Sequence, residues 1–90
     1  MTILIDPPVW PGPRELMWSH LVSDVSLAEL HAFAEALGMP RRAFDRDHYD
    51  VPETLYDKAV ELGAEEVGSR ELVSRLTGAG LRRRRSAAGR

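Results

Sequence analysis

Two short segments hold the residues of this chain that are best suited to chemistry. His20 and Asp24 are four positions apart in the first, and His48 and Asp50 are two positions apart in the second. Side chains at even spacing point to the same side of an extended strand. Imidazole titrates near neutral pH and ligates transition metals, and a carboxylate can orient it. We therefore predict catalytic or metal-binding roles for His20, His48 and Asp50 if their strands are neighbours.

Each of these residues also has a structural explanation. A strand histidine beside Trp18 and Val22 is commonly held by a backbone carbonyl, which is the favoured explanation for His20 alone. Asp50 can cap a following helix, with Glu53 as its capping-box partner. The chain has no His-Glu-x-x-His or His-x-His spacing. A joint site therefore requires the fold to bring the two segments together.

Three aspartates, Asp6, Asp24 and Asp50, stand at the ends of predicted strands. If these strands are parallel, their carboxyl ends meet at the edge where open α/β sheets bind ligands. Carboxylates at that edge suit Mg²⁺ or Mn²⁺, so a divalent metal is the suggested cofactor, with Asp6 and Asp24 as metal ligands. The second strand can also run antiparallel to the first, which would carry Asp24 to the opposite edge.

Three arginines, Arg41, Arg42 and Arg46, precede His48. Guanidinium groups match the oxygens of phosphate or carboxylate, and the start of the next helix would add backbone N–H donors. We predict that these arginines and Trp18 bind a phosphate-bearing ligand, such as a nucleotide or a nucleic-acid end. The alternative for Arg41 and Arg42 is stabilisation by the C-terminal dipole of the preceding helix.

Hydrophobic patterning indicates the elements that would position these residues. Short apolar or alternating runs predict strands at 2–5, 17–23, 48–51 and 65–67, and helical spacing predicts helices at 27–37, 52–62 and from 69 onward. Ser26 is expected to cap the first helix and Ser69 the last. The order ββαβαβα predicts an α/β fold with a small sheet of about four strands, three helices and right-handed crossovers. A four-stranded α+β arrangement stays open.

Composition limits the function classes. The 90 residues suffice for one domain, and the lack of cysteine excludes disulfides, thiolate zinc sites and cysteine nucleophiles. The chain contains none of the glycine-rich signatures of dinucleotide-binding enzymes, P-loop enzymes or serine hydrolases. Its first residues include no basic leader and no apolar run of membrane-spanning length, so we expect a cytoplasmic protein without a membrane partner.

Charge divides the chain after Leu81. Residues 82–90 contain five arginines and no acid, which leaves seven basic and fourteen acidic residues in 1–81, a formal charge of −7. We predict a single α/β domain over 1–81 and a basic, disordered tail over 82–90 whose deletion hardly shifts the melting midpoint. The tail could bind phosphate polymers, whereas the acidic domain would repel them.

Several sequence blocks resemble a known family. Trp-Ser-His-Leu at 18–21 and His-Tyr-Asp-Val-Pro at 48–52 are the most specific, and 6–11, 29–34 and 69–72 agree with them. Up to Leu81 the chain is similar to small bacterial and phage proteins of domain-of-unknown-function family 4031. The resemblance implies a shared fold and no established reaction. The loop at 11–15 departs from the Ala-His-Gly pattern of many relatives, so the resemblance places no histidine ligand there.

Two functions stay open at the level of sequence. One is a domain that binds, with or without hydrolysis, a phosphate-bearing ligand at His20, Asp24, Arg42, His48 and Asp50. The other is a non-enzymatic protein–protein interaction module that uses Trp10, Trp18 and the arginine tail. A buried Trp18 beside clustered histidines would favour the first, and an exposed tryptophan patch the second. The sequence leaves open whether the domain is an enzyme, and its oligomeric state, a homodimer included.

Overall fold

Six short strands form one sheet with helices on both faces in the computed structural model, which describes residues 2–81. The strands are β1 (Ile3–Ile5), β2 (Trp10–Pro11), β3 (Met17–Ser23), β4 (Phe44–Asp45), β5 (His48–Pro52) and β6 (Glu65–Glu66). The helices are α1 (Leu27–Leu37), α2 (Tyr56–Glu61) and α3 (Ser69–Gly78). The predicted α/β class is confirmed, whereas the predicted tail at 82–90 lies outside the described residues. None of the helices within residues 2–81 combines the length and the apolar composition of a membrane-spanning helix.

The sheet is mixed and mostly antiparallel. Its order is β4-β5-β3-β1-β6, with β2 paired to β3 on the same side as β1. Among the strands of residues 2–81, only β1 and β6 pair in parallel; β3 runs against both β1 and β5, and β4 runs against β5. The directions of these pairs make β3 parallel to β4, and β5 parallel to β6. The helices α1 and α2 are therefore crossovers between parallel strands that are not neighbours.

Strand direction corrects one prediction about the aspartates. Ile3 lies opposite Ser23, and Ile5 lies opposite Leu21. Asp24 is therefore at the end of the β1–β3 pair that is remote from Asp6. The antiparallel alternative weighed for the second strand is the observed one, and the three aspartates do not share an edge.

Local signals predicted some element boundaries and missed others. The hydroxyl of Ser26 accepts a hydrogen bond from Glu29 N at 3.1 Å, which confirms the cap of α1. The capping role considered for Asp50 is wrong, because Asp50 lies inside β5 and a 3₁₀ turn at Glu53–Leu55 precedes α2. Ser69 is not a cap either, since Gly68 occupies that position. No strand was predicted at β2 or β4, because two residues show no periodicity.

The two faces of the sheet are covered unequally. Alternate residues of the central strands, including Ile5, Leu21 and Val51, point to a core shared with α1 and α2. On the other face, Leu72 and Leu76 of α3 pack with residues of β1 and β3. Within residues 2–81, the cluster that α3 covers includes no residue from the β5 side of this second face. His20, His48 and Asp50 lie on that side and are only partly buried.

Ser19 offers a test of the core under α1 and α2. Its side chain is 1% exposed and its hydroxyl has no hydrogen-bond partner among the described residues. A buried hydroxyl without a partner is unfavourable, so Ser19→Ala should raise the free energy of unfolding by about 1 kcal/mol in a urea titration.

Ser23→Ala is the matched control for this prediction. The hydroxyl of Ser23 is also buried, but it donates to Glu29 and accepts from the backbone of Val25 and Ser26. The control variant should lose about 1–3 kcal/mol. A loss of stability in Ser19→Ala would show that its hydroxyl has a partner in solution.

Candidate metal centre

Strand register brings the two histidine segments together. His20 of β3 lies opposite Asp50 of β5, and the backbone N–H of Asp6 donates to the His20 carbonyl at 3.3 Å. The rings of His20 and His48 meet edge to face with centroids 5.2 Å apart. The condition for a joint site, that the fold brings the two segments together, is therefore met. One ligand atom from each of His20, His48 and Asp50 lies within 4.8 Å of the other two.

His20 is oriented by a buried carboxylate. Oδ2 of Asp6 is 2.9 Å from His20 Nδ1, and Oδ1 accepts the His20 backbone N–H at 2.6 Å. Oδ2 also accepts the Ser69 hydroxyl at 2.8 Å and the Trp10 indole N–H at 3.4 Å. Burial opposes ionisation of Asp6, but the hydrogen bonds from His20 and Ser69 outweigh it and lower its pKa. Asp6, which was predicted as a metal ligand, lies behind the imidazole instead.

His48 contacts two carboxylates. Its Nδ1 is 2.8 Å from Oδ1 of Asp47, a residue that is 7% exposed, and its Nε2 is 3.3 Å from Oδ1 of Asp50. Asp47 belongs to the turn between β4 and β5, beside Arg46 with a φ of 62°. The sequence prediction missed Asp47, because strand alternation favours the residue two positions from His48. In a turn, the preceding side chain reaches Nδ1 as well.

The carboxylates fix which ring nitrogen can bind a metal. An ionised carboxylate only accepts hydrogen bonds, so Nδ1–H of His20 donates to Asp6 and Nδ1–H of His48 donates to Asp47. For the neutral imidazole of His20 this leaves the lone pair on Nε2. In His48, Nε2 also lies 3.3 Å from Asp50 Oδ1, so that nitrogen binds an ion only once it carries no proton. Metal-binding histidines in proteins show this pattern, in which the carboxylate sets the tautomer and makes the other nitrogen more basic. With Asp50, the site offers two nitrogens and one carboxylate.

Two cavities flank these residues. The helix-side pocket, of about 450 Å³, is lined by Asp6, Trp10, His20, His48, Ser69 and Arg70 among others. The loop-side groove, of about 810 Å³, is lined by Trp10, Arg14, Trp18, Arg42, Asp50 and Leu55 among others. The two histidines line the first cavity and Asp50 lines the second. The three candidate metal ligands therefore stand where the two cavities adjoin.

The structure separates the three arginines that were predicted to bind a ligand together. Arg42 lines the loop-side groove. Arg41 instead lines a cavity with His31 and Tyr49 on the opposite face of the sheet, where α1 and α2 pack. Arg46 is exposed in the turn before β5 and lines neither cavity. Their neighbourhood in sequence is lost because the chain turns twice between positions 41 and 48.

Two arginines that the sequence analysis did not single out also line the two cavities beside the candidate metal ligands. Arg70 reaches the helix-side pocket from the first turn of α3, and Arg14 lines the loop-side groove. Sequence reasoning missed Arg70 because its position depends on the pairing of β1 with β6, which no local pattern reports. Nothing in residues 2–81 forms an ion pair with either side chain.

The tryptophans form part of the cavity walls. Trp10 is 44% exposed, and its ring lies edge to face with His20 at 5.3 Å. Trp18 is half-buried, and its indole N–H donates to the Pro13 carbonyl at 3.2 Å. A Cβ on Gly12 would lie 2.7 Å from the Trp18 ring, so glycine is needed for this close packing. One tryptophan is therefore exposed and contacts His20, whereas the other is packed and lines the loop-side groove with Asp50.

His31, the third histidine of the chain, belongs to the opposite face of the sheet. Its Nδ1 is 2.8 Å from the Tyr49 hydroxyl, and its ring packs edge to face on Phe44. Burial, with a smaller effect of Arg41, lowers the pKa of His31. The sheet separates His31 from the other two histidines, which makes it a natural control for them.

Asp24 has structural partners far from the metal-ligand candidates. It accepts hydrogen bonds from Arg75 at 2.7 Å and from the Thr2 backbone at 3.2 Å. The hydrogen bond from Arg75 lowers the pKa of Asp24 below its ordinary value of 3.8. The structure therefore does not place Asp24 with Asp6 in a shared metal site.

The Asp24 pKa predicts a pH dependence of stability. A carboxyl whose pKa is lower in the folded state binds fewer protons there, so its contribution is present above 3.8 and is lost as the pH falls through the folded-state pKa. The difference in melting midpoint between the wild type and Asp24→Asn should be constant above about pH 5 and should shrink below about pH 4. A difference that persists at the lowest pH would contradict this origin.

Comparison with known proteins gives a family and no activity. Residues 3–79 match the model of a family described as "Protein of unknown function (DUF4031)". No curated protein and no solved structure matches the chain.

Proposed function

The chain belongs to the DUF4031 family, and we propose that it binds a divalent transition-metal ion through His20, His48 and Asp50 and, with that ion, a phosphate-bearing ligand. The observation that carries the proposal is the pair of carboxylates at Nδ1 of the two imidazoles. These hydrogen bonds also stabilise the fold, but in addition they orient both histidines towards one point. They are what a metal site requires of its surroundings.

The donor set favours certain ions. Two imidazoles and one carboxylate suit Zn²⁺, Fe²⁺ or Mn²⁺ better than Mg²⁺, which prefers oxygen ligands. Three protein donors also leave coordination positions for water and a ligand, as in catalytic zinc sites. An ion held there would lower the pKa of bound water and polarise a phosphoryl oxygen.

Charge around the site supports an anionic ligand. Arg70 and Arg42 flank the three donors from two sides and have no acidic partner within residues 2–81. Guanidinium groups pair with phosphate oxygens through two parallel hydrogen bonds. Because residues 1–81 carry a net charge of −7, an anion is repelled by the domain as a whole. Binding should therefore depend on the metal.

Calorimetry on untagged, chelator-treated protein tests the proposal. Zn²⁺ or Mn²⁺ should bind with one ion per chain, and Mg²⁺ should bind far more weakly. A nucleoside monophosphate should then bind the metal-loaded protein and not the metal-free protein. Failure of both transition metals to bind at millimolar concentration would overturn the metal centre. Metal binding without nucleotide binding would overturn the phosphate ligand alone and make the interaction-module hypothesis the better one.

A further inference from the structure

The helix-side pocket and the loop-side groove differ in size and meet at the candidate metal centre. The pocket measures about 450 Å³ and the groove about 810 Å³, each within the range of sites that hold a drug-sized ligand. Trp10 lines both cavities. A single nucleotide bound at the metal would occupy one cavity and leave the other empty. The arrangement is suited to a longer ligand that crosses the metal.

We propose that this ligand is a short single strand of nucleic acid that lies across the metal from the helix-side pocket to the loop-side groove. The inference rests on the proposed function, because the metal is the point at which a backbone phosphate would be held. Single-strand binding sites combine cationic side chains along the backbone path with aromatic rings for the bases. Both kinds of group are present here.

Cationic groups stand on both sides of the metal ligands. Arg70 is on the helix side, and Arg14 and Arg42 are on the loop side, all of them exposed. By contrast, Arg75 near the far end of β1 contacts three acids and is not available to a ligand. The available arginines thus follow a path across the site, as successive phosphates would require.

The aromatic groups lie along the same path. Trp10 presents an exposed ring where the cavities join, and Trp18 lines the wall of the loop-side groove. The adjacent loop is held in a costly conformation, because Arg14 and Glu15 both have positive φ values, 63° and 58°. Strain of this kind persists where the surrounding structure enforces it, and it is concentrated at functional sites. Here it shapes the wall next to Trp18.

The experiment compares two arginines that lie on opposite sides of the metal. Fluorescently labelled strands of about six nucleotides, one of oligo-dT and one of oligo-U, are titrated with zinc-loaded Arg70→Ala, Arg42→Ala and wild-type protein. Loss of a charge-assisted contact costs about ten-fold in affinity, so each variant should bind the strand about ten-fold more weakly. A nucleoside monophosphate, which reaches one side only, should be weakened by at most one of the two variants. The two strands separate DNA from RNA preference.

Arg41→Ala is the matched control. Arg41 is the sequence neighbour of Arg42 and is also exposed, but it lines the cavity beside His31 on the other face of the sheet. Its replacement by alanine should therefore leave strand binding unchanged. Wild-type affinity should also fall as salt rises.

Three outcomes would overturn the strand proposal while metal binding stands. The first is a strand that binds no tighter than the mononucleotide, the second is sensitivity to only one of the two arginines, and the third is equal sensitivity to Arg41→Ala. If the wild-type protein does not bind zinc at all, the proposed function itself is overturned.

Discussion

Replacing His48 with alanine is expected to abolish tight binding of Zn²⁺. The change removes one of two nitrogen donors and leaves the Asp47 carboxylate without its imidazole partner, so the zinc dissociation constant should rise by at least about 100-fold. The loss of zinc binding can also be measured as a smaller gain in the free energy of unfolding when zinc is added. Free zinc at about one hundred times the dissociation constant stabilises the wild type by about 2.7 kcal/mol, and His48→Ala should lack that increment.

His31→Ala is the control that separates metal binding from folding. His31 also has its Nδ1 within hydrogen-bond distance of another side chain, and its ring also packs on a neighbouring ring, but it lies on the opposite face. This variant is expected to keep the full zinc-dependent increment in melting midpoint, whatever its stability without metal. Equal zinc stabilisation of His48→Ala and the wild type would contradict the assignment of His48 as a ligand.

Asp6→Asn should weaken zinc binding without removing a ligand. An amide can present its oxygen or its NH₂ to His20, but not the charge that makes the imidazole more basic, and carboxylates behind metal-bound histidines contribute about 10–100-fold in affinity. We expect a rise of that size in the zinc dissociation constant. The visible absorption of the Co²⁺-loaded protein should also shift, which a purely structural role would not cause.

Asp24→Asn is the matched variant for Asp6. Both aspartates accept side-chain and backbone hydrogen bonds at the ends of β1 and β3, and both have lowered pKa values. Both variants should therefore lose stability. Only Asp6→Asn should change zinc affinity and the Co²⁺ spectrum, because Asp24 lies at the other end of the strand pair. A change of zinc affinity in both would show that it follows general destabilisation.

Much of the fold could be predicted because its signals are local. Ser26 and Glu29 mark the start of α1, and the alternation around His20 and His48 marks β3 and β5. Alternation also predicted that His48 and Asp50 share a face. The two-residue strands β2 and β4 were not predicted, because they are defined by hydrogen bonds to β3 and β5 and not by a pattern in their own residues.

The partners of the histidines could not be predicted in the same way. Even spacing favoured Asp24 as the partner of His20, yet the antiparallel register places Asp6 there and removes Asp24 to the far end. Asp47 was missed because a turn residue does not follow strand alternation. Arg70 was missed because its place depends on contacts between distant parts of the chain.

The hydrogen bond from Ser69 to Asp6 has a kinetic consequence. It joins residues 63 positions apart, and β1 pairs with β6 over a similar separation. Closing so long a loop is entropically costly, so these contacts should form after the folding transition state, later than the local contact between His48 and Asp47. The hydrogen bonds that hold Asp6 behind His20 are then complete only after the folding transition state. An ion bound there would slow unfolding and leave the folding rate nearly unchanged.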